Sequence, residues 1–164
     1  MPLRRLPCLL LLLLSLPLLA LAAGSAPRLV QPGLYAGGQP DEAQLRALAA
    51  QGVTTVIDLR GADEPRGYAE ADAAHALGLR YIALPVAGVQ DITPAKARAL
   101  QAELAAAHGP VLLHCASGNR VGALLALSAH ARGASDEAAL AEGRAAGLGS
   151  LEPTVRAQLH DTRP

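Results

Sequence analysis

Short β-branched apolar runs alternate along this chain with longer Ala- and Leu-rich stretches of helical spacing. Gly33-Leu34-Tyr35-Ala36 reads as a first strand, turned by Gly37-Gly38-Gln39-Pro40. Asp41 is a helix N-cap with Gln44 three residues on as its capping-box partner. Leu45 and Leu48 give that helix an apolar stripe, and Gly52 ends it. Val53 to Leu59 is β-branched and mostly apolar, the pattern of a buried central strand. A charged loop from Arg60 to Arg66 precedes an Ala-rich helix over about 67–77, closed by Gly78. Leu79 to Leu84 is a third strand, ended by Pro85. After the loop Val86 to Ile92, Thr93-Pro94 reads as N-cap and first helical residue of a helix reaching His108. Val111-Leu112-Leu113-His114 is a short, largely apolar fourth strand. An apolar helix then follows Arg120 and stops at Gly133; Ser135 caps another, and Glu152-Pro153 opens a short last one.

Strands that alternate with helices predict an α/β fold: a single domain with a mostly parallel central sheet of about four to five strands and helices on both faces. In open α/β sheets the carboxyl ends of the strands form the ligand crevice. Three loops leave such ends: Arg60 to Arg66, Pro85 to Ile92, and Cys115 to Arg120. Residues 33–164 are assigned to this domain and 23–32 to a linker.

The opening stretch has a different use. Arg4 and Arg5 lead into a leucine run from Leu9 to Leu14, continued by Leu16, Leu18, Leu19 and Leu21. Ala20-Leu21-Ala22 offers a small-residue cleavage pattern, so residues 1–22 read as a secretory signal peptide. The destination is across the inner membrane, in the periplasm; the membrane becomes a partner only if the segment stays uncleaved. Removal also takes Cys8 away and leaves Cys115 as the only cysteine. A lone thiol in an oxidising compartment asks for a chemical reason.

Composition narrows the classes. The 14 basic residues are balanced by 14 acidic ones, and aromatics are limited to Tyr35, Tyr68 and Tyr81. With no basic run and no stacking ladder, nucleic acid is not an expected partner. His75, His108, His130 and His160 fall on separate predicted helices without paired ligand spacing, so no metal is expected. No Walker-type or dinucleotide fingerprint calls for a cofactor.

The chemistry gathers in His114-Cys115-Ala116-Ser117-Gly118-Asn119-Arg120. The fourth strand delivers Cys115 to a glycine-containing turn that opens into a helix. Backbone N–H groups in such a turn make a concave anion site, and the positive helix end favours a thiolate. Ala116, Ser117, Gly118 and Asn119 would line the cradle, and the planar fork of Arg120 can grip two oxygens of an anion. A small anionic substrate is the partner this implies.

His-Cys followed by Gly and Arg resembles the signature loop of protein tyrosine and dual-specificity phosphatases. Over roughly 34–127 the chain is similar to the bacterial beta-lactamase-hydrolase-like phosphatase-like family. The matching pieces are Tyr35 to Pro40, Val56-Ile57-Asp58-Leu59-Arg60, Leu84-Pro85-Val86 and His114 to Arg120. That resemblance implies a cysteine-dependent phosphatase in which Cys115 forms a cysteinyl-phosphate and Arg120 stabilises the phosphoryl oxygens. The substrate would be a small phosphoester or a phosphoprotein. His114 would hydrogen-bond around the loop, and Asp91 is the topologically best placed general acid, with Asp63 and Glu64 as alternatives. Arg60 would bind substrate charge.

Two departures keep other readings open. The phosphatase loop has five residues between Cys and Arg, and this one has four, as in rhodanese-type sulfurtransferases. Val121 also stands where the phosphatase pattern has a hydroxyl. A sulfurtransferase or persulfide carrier using Cys115, and a non-catalytic anion-binding module, are the alternatives.

Overall fold

The computed structural model describes residues 26–161, so the proposed signal segment 1–22 lies outside the described residues. The strands are β1 (Arg28–Gln31), β2 (Leu34–Gly37), β3 (Thr55–Asp58), β4 (Arg80–Ala83) and β5 (Val111–His114). The helices are α1 (Glu42–Ala50), α2 (Glu70–Ala76), α3 (Pro94–Ala105), α4 (Asn119–Ala131), α5 (Asp136–Ala145) and α6 (Glu152–Asp161), with a 3-10 turn at Val89–Asp91. They build one α/β domain around a five-stranded sheet in the order β1-β2-β5-β3-β4. The sheet is parallel except for β1, which runs antiparallel to β2.

Strand β1 corrects the linker assignment. Pro32 and Gly33, whose φ is +74°, make a hairpin turn, and Arg28–Gln31 folds back along β2. Arg28 and Leu29 are exposed, so no apolar alternation announces the strand. Its place depends instead on Val30 packing on the core and on Gln31 Nε2 donating to Glu142 Oε1 at 2.7 Å.

Side-chain alternation splits the interior into two layers, as a pleated sheet requires. Val56 of β3 and Leu112 of β5 face Leu45 and Leu48 of α1 and Ala74 of α2. Their neighbours Ile57, Val111 and Leu113 face the larger layer with α3, α4, α5 and α6, including Leu100, Leu124, Leu140 and Val155. The predicted caps form: Asp41 and Gln44 make a reciprocal capping box, Thr93 caps α3 with Pro94 behind it, and Ser135 caps α5.

Register places the site. Gly37, His114, Asp58 and Ala83 lie abreast across four parallel strands. The segments that follow these four positions therefore emerge at one sheet edge, with β5 in the middle. Among the described residues no helix is long and apolar enough to cross a membrane.

Candidate active site

Beyond His114 the chain leaves the sheet under tight backbone control. Cys115 N–H donates to Gly37 O at 3.3 Å, and Gln39 N–H donates to Ala116 O at 3.3 Å. Gly38 and Ser117 form an isolated antiparallel bridge. The Gly37-Gly38-Gln39 segment, which reads from sequence only as a turn, is thus a backbone brace for the cysteine loop. Gly118 takes φ +93°, a left-handed angle that side-chain-bearing residues resist, and its N–H donates to Cys115 Sγ at 3.1 Å. Helix α4 starts at Asn119, and Val121 to Ala129 are all buried, which holds its positive end at the sulfur. Cys115 has no solvent exposure, while Ala116 and Ser117 at the rim are exposed.

Arg120 lies in the first turn of α4 beside this loop. Its Nη1 donates to Glu64 Oε1 at 2.5 Å and to Val86 O at 2.9 Å, and its Nη2 donates to Glu64 Oε2 at 2.7 Å. The Glu64 hydrogen bond raises the guanidinium above its ordinary range despite burial, with the Cys115 sulfur adding to the effect. Glu64 moves the opposite way: the Arg120 hydrogen bond holds its carboxyl below the usual range. An ionised carboxylate is the wrong species to give up a proton, so Glu64 leaves the set of candidate acids.

Arg60 is corrected by the structure. Its side chain is 1% exposed and folds back on its own strand end, donating to Asp58 Oδ1 at 3.0 Å, Asp58 Oδ2 at 2.9 Å and Glu70 Oε2 at 2.5 Å. Both carboxylates are fully buried, so the charge of Arg60 is committed to them rather than offered to a substrate. His114 is corrected in part. Its buried ring turns from the cysteine loop towards this cluster, with Nε2 3.0 Å from Glu70 Oε1 and Nδ1 4.0 Å from Asp58 Oδ1.

Burial alone would push the Asp58 carboxyl up. Hydrogen bonds from Arg60, the charge of His114 and the Tyr81 hydroxyl outweigh it and hold Asp58 at about 2. Burial and the contact with Asp58 push Tyr81 up to about 12, so it stays a donor, at 2.6 Å from Asp58 Oδ2. Asp58, Glu70 and His114 bring ligand-type atoms within 4.8 Å of one another, yet the place of a cation between the two carboxylates is taken by the Arg60 guanidinium.

The remaining candidates separate. Asp91 ends the 3-10 turn in the loop that also lends Val86 O to Arg120; its Oδ2 accepts from Ala87 N–H at 2.7 Å. Asp63 is exposed on the loop that carries Glu64. The Asn119 side chain faces away from the cradle: Oδ1 accepts from Gly149 N–H at 2.9 Å, and Nδ2 donates to Ser150 Oγ at 2.7 Å. It brackets the α5–α6 loop to the start of α4, which corrects its assignment as a substrate-binding side chain. Glu70 gave no signal inside an Ala-rich helix, although Asp58 and Arg60, two apart at a strand end, were a visible hint of an ion pair.

The family described as Beta-lactamase hydrolase-like protein, phosphatase-like domain, matches residues 27–133. The chain is 41% identical over 91 residues to the Beta-lactamase hydrolase-like protein of Agrobacterium fabrum, covering 53% of this chain and 21% of that protein. It spans about a fifth of the length of the curated relatives it matches. Among solved structures it resembles a candidate phosphatase from Neisseria meningitidis, with TM-score 0.72, 23% identity, and coverage of 85% of this chain and 99% of that one. It also resembles P. aeruginosa TpbA in complex with pTyr, with TM-score 0.65, 23% identity and 82% of each chain covered. Both structural likenesses are likenesses of fold.

Proposed function

This chain belongs to the family of the phosphatase-like domain of beta-lactamase hydrolase-like proteins, and from that premise we propose that it is a cysteine-dependent phosphatase working through Cys115. The observation that carries the reading is the Gly118 N–H aimed at Cys115 Sγ from the start of α4, with Arg120 alongside. The sulfur attacks phosphorus, an S–P bond forms and the P–O bond to the leaving group breaks. Loop N–H groups and Arg120 receive the non-bridging oxygens, and Asp91 protonates the leaving oxygen. Water then hydrolyses the cysteinyl-phosphate. A small phosphoester or a phosphoprotein, phosphotyrosine included, is the proposed substrate class. The proposed setting is the periplasm, on the strength of the basic, leucine-rich and small-residue order of residues 1–22.

A second reading, sulfur transfer, has its own support. Only four residues separate Cys115 from Arg120, and the residue after Arg120 is the fully buried Val121, which offers no hydroxyl to help expel a thiolate. In that reaction Cys115 takes the outer sulfur of thiosulfate as a persulfide and sulfite leaves.

Mass spectrometry of the protein, incubated separately with an aryl phosphate and with thiosulfate, separates the two. A phosphate adduct that is absent in Cys115→Ser and decays with phosphate release supports the phosphatase. One added sulfur removable by cyanide, without phosphate turnover, replaces it with the second reading. Asp91→Asn is expected to slow aryl phosphate turnover by about 100-fold or more and to leave sulfur uptake unchanged.

A further inference from the structure

Asparagine is favoured at helix starts because its side chain can accept from the first free backbone N–H groups. At the start of α4 it does otherwise. Gly118 is the N-cap, no side chain caps it, and Asn119 commits its amide to the loop 147–151. Asn119 Oδ1 accepts from Gly149 N–H at 2.9 Å and from Leu151 N–H at 3.3 Å, and Nδ2 donates to Ser150 Oγ at 2.7 Å. We infer that Asn119 is a positioning residue of the cysteine loop: it ties the α5–α6 loop to the start of α4 and thereby fixes Gly118, whose N–H meets Cys115 Sγ.

Helix α4 needs no such tie for its own sake. Val121 to Ala129 are buried, and α5 crosses the helix so closely that a Cβ on Gly122 would run into Leu148 N and lie 2.5 Å from Gly143 O. Leu148 N–H donates to Gly143 O at 2.9 Å, which anchors the loop from the α5 side. The tie through Asn119 acts one turn earlier. Gly147 has φ +110°, and a Cβ there would lie 3.1 Å from Gly118 O and 3.3 Å from Gly118 Cα, so the loop backbone rests against Gly118. Gly118 O accepts from Gly122 N–H at 2.9 Å, and Gly118 N–H donates to the sulfur at 3.1 Å. A glycine has the widest backbone freedom of any residue, so an N–H that must stay aimed at one atom has to be fixed by its neighbours. With the Asn119 amide turned outward, no side chain of the helix start competes with an anion for the cradle.

The inference rests on the reading that this loop receives an oxyanion, and amide spectra with inorganic phosphate as the probe test the two separately. Asn119→Ala is expected to speed hydrogen–deuterium exchange at the Gly118 amide about tenfold more than at the core amides of Leu113 and Leu124, and to weaken phosphate binding roughly tenfold. Ser150→Ala removes one of the three bonds without touching the helix and should speed Gly118 exchange about threefold, which decides the matter even if Asn119→Ala does not fold. Gly118 exchange that rises only in step with Leu113 and Leu124 overturns the positioning role and leaves Asn119 a support of the fold. Phosphate bound as tightly as by the wild type, despite a loosened Gly118, overturns it as well. Phosphate that leaves the wild-type Gly118 resonance unmoved sinks the oxyanion reading itself, while the exchange rates still decide whether Asn119 holds Gly118.

Discussion

Arg60 and Arg120 each grip a carboxylate with a two-pronged contact, at neighbouring points of the same sheet edge, and the fold uses them differently. Arg60 is 1% exposed, between two carboxylates with no exposure at all. Arg120 is 17% exposed, against a Glu64 that is 32% exposed. Burial decides what each pair is worth. A pair removed from water has lost its hydration, so loss of one partner strands the other; a pair at the rim keeps water as an alternative. The first ties β3 to α2 beneath the cysteine loop, and the second sets its guanidinium beside the Cys115 sulfur. The difference between them is a difference between holding the site and serving it.

Arg60→Ala should therefore have the largest effect. It takes from the buried Asp58 and Glu70 the one guanidinium they share, leaving Asp58 with Tyr81 and the more distant Arg66 and Glu70 with Gln39, at a cost of about 3–5 kcal/mol, read as a lowered urea midpoint. A loss below about 1 kcal/mol would place Arg60 with the rim pair and break the contrast. Arg120→Lys is the converse. Stability should change by less than about 1 kcal/mol, because the contact is partly solvated. Reaction at Cys115 with its preferred donor should fall about 100-fold or more, because an ammonium cannot reproduce the fork that takes two oxygens. Equal losses of stability in the two variants would erase the distinction.

Much of this fold was legible because it is local. Asp41 with Gln44, Thr93-Pro94 and Ser135 announce helix starts within four residues, and the run Val111–His114 announces a buried strand bounded as the structure has it. The cysteine loop was legible for the same reason: strand, glycine turn and helix are contiguous. Strand β1 was not, because two of its four residues face solvent and its partner is set by a turn. The use of each arginine was not legible either. Arg60 looked like a ligand for anions because its second carboxylate, Glu70, sits on a different element. Glu64 and Arg120 are 56 positions apart, and Asn119 and Ser150 are 31 apart. Periodicity shows which positions are polar; only topology shows which polar positions meet.

The smallest expected effect sharpens the contrast most, because it reads the buried pair through pH. The Tyr81 hydroxyl donates to the ionised Asp58 at 2.6 Å. Tyr81→Phe should cost about 1–2 kcal/mol near neutral pH, the scale of a partly buried bond to a charged group. The folded Asp58 carboxyl sits at about 2, below its ordinary 3.8. A depressed carboxyl contributes stability that is complete above the ordinary value and is lost as pH falls through the folded one. The wild type should therefore hold a plateau above about pH 4 and lose stability between there and about pH 2. Without the tyrosine bond the folded carboxyl moves up towards 3.8, so the variant gives up its smaller contribution over a narrower and higher range. The gap between the two curves should be constant above about pH 4 and shrink as Asp58 protonates. Urea unfolding from pH 7 down to pH 2.5 measures it. A gap that stays constant through the acid range would mean that Tyr81 supports the fold through packing alone, and that the buried arginine pair needs no third donor.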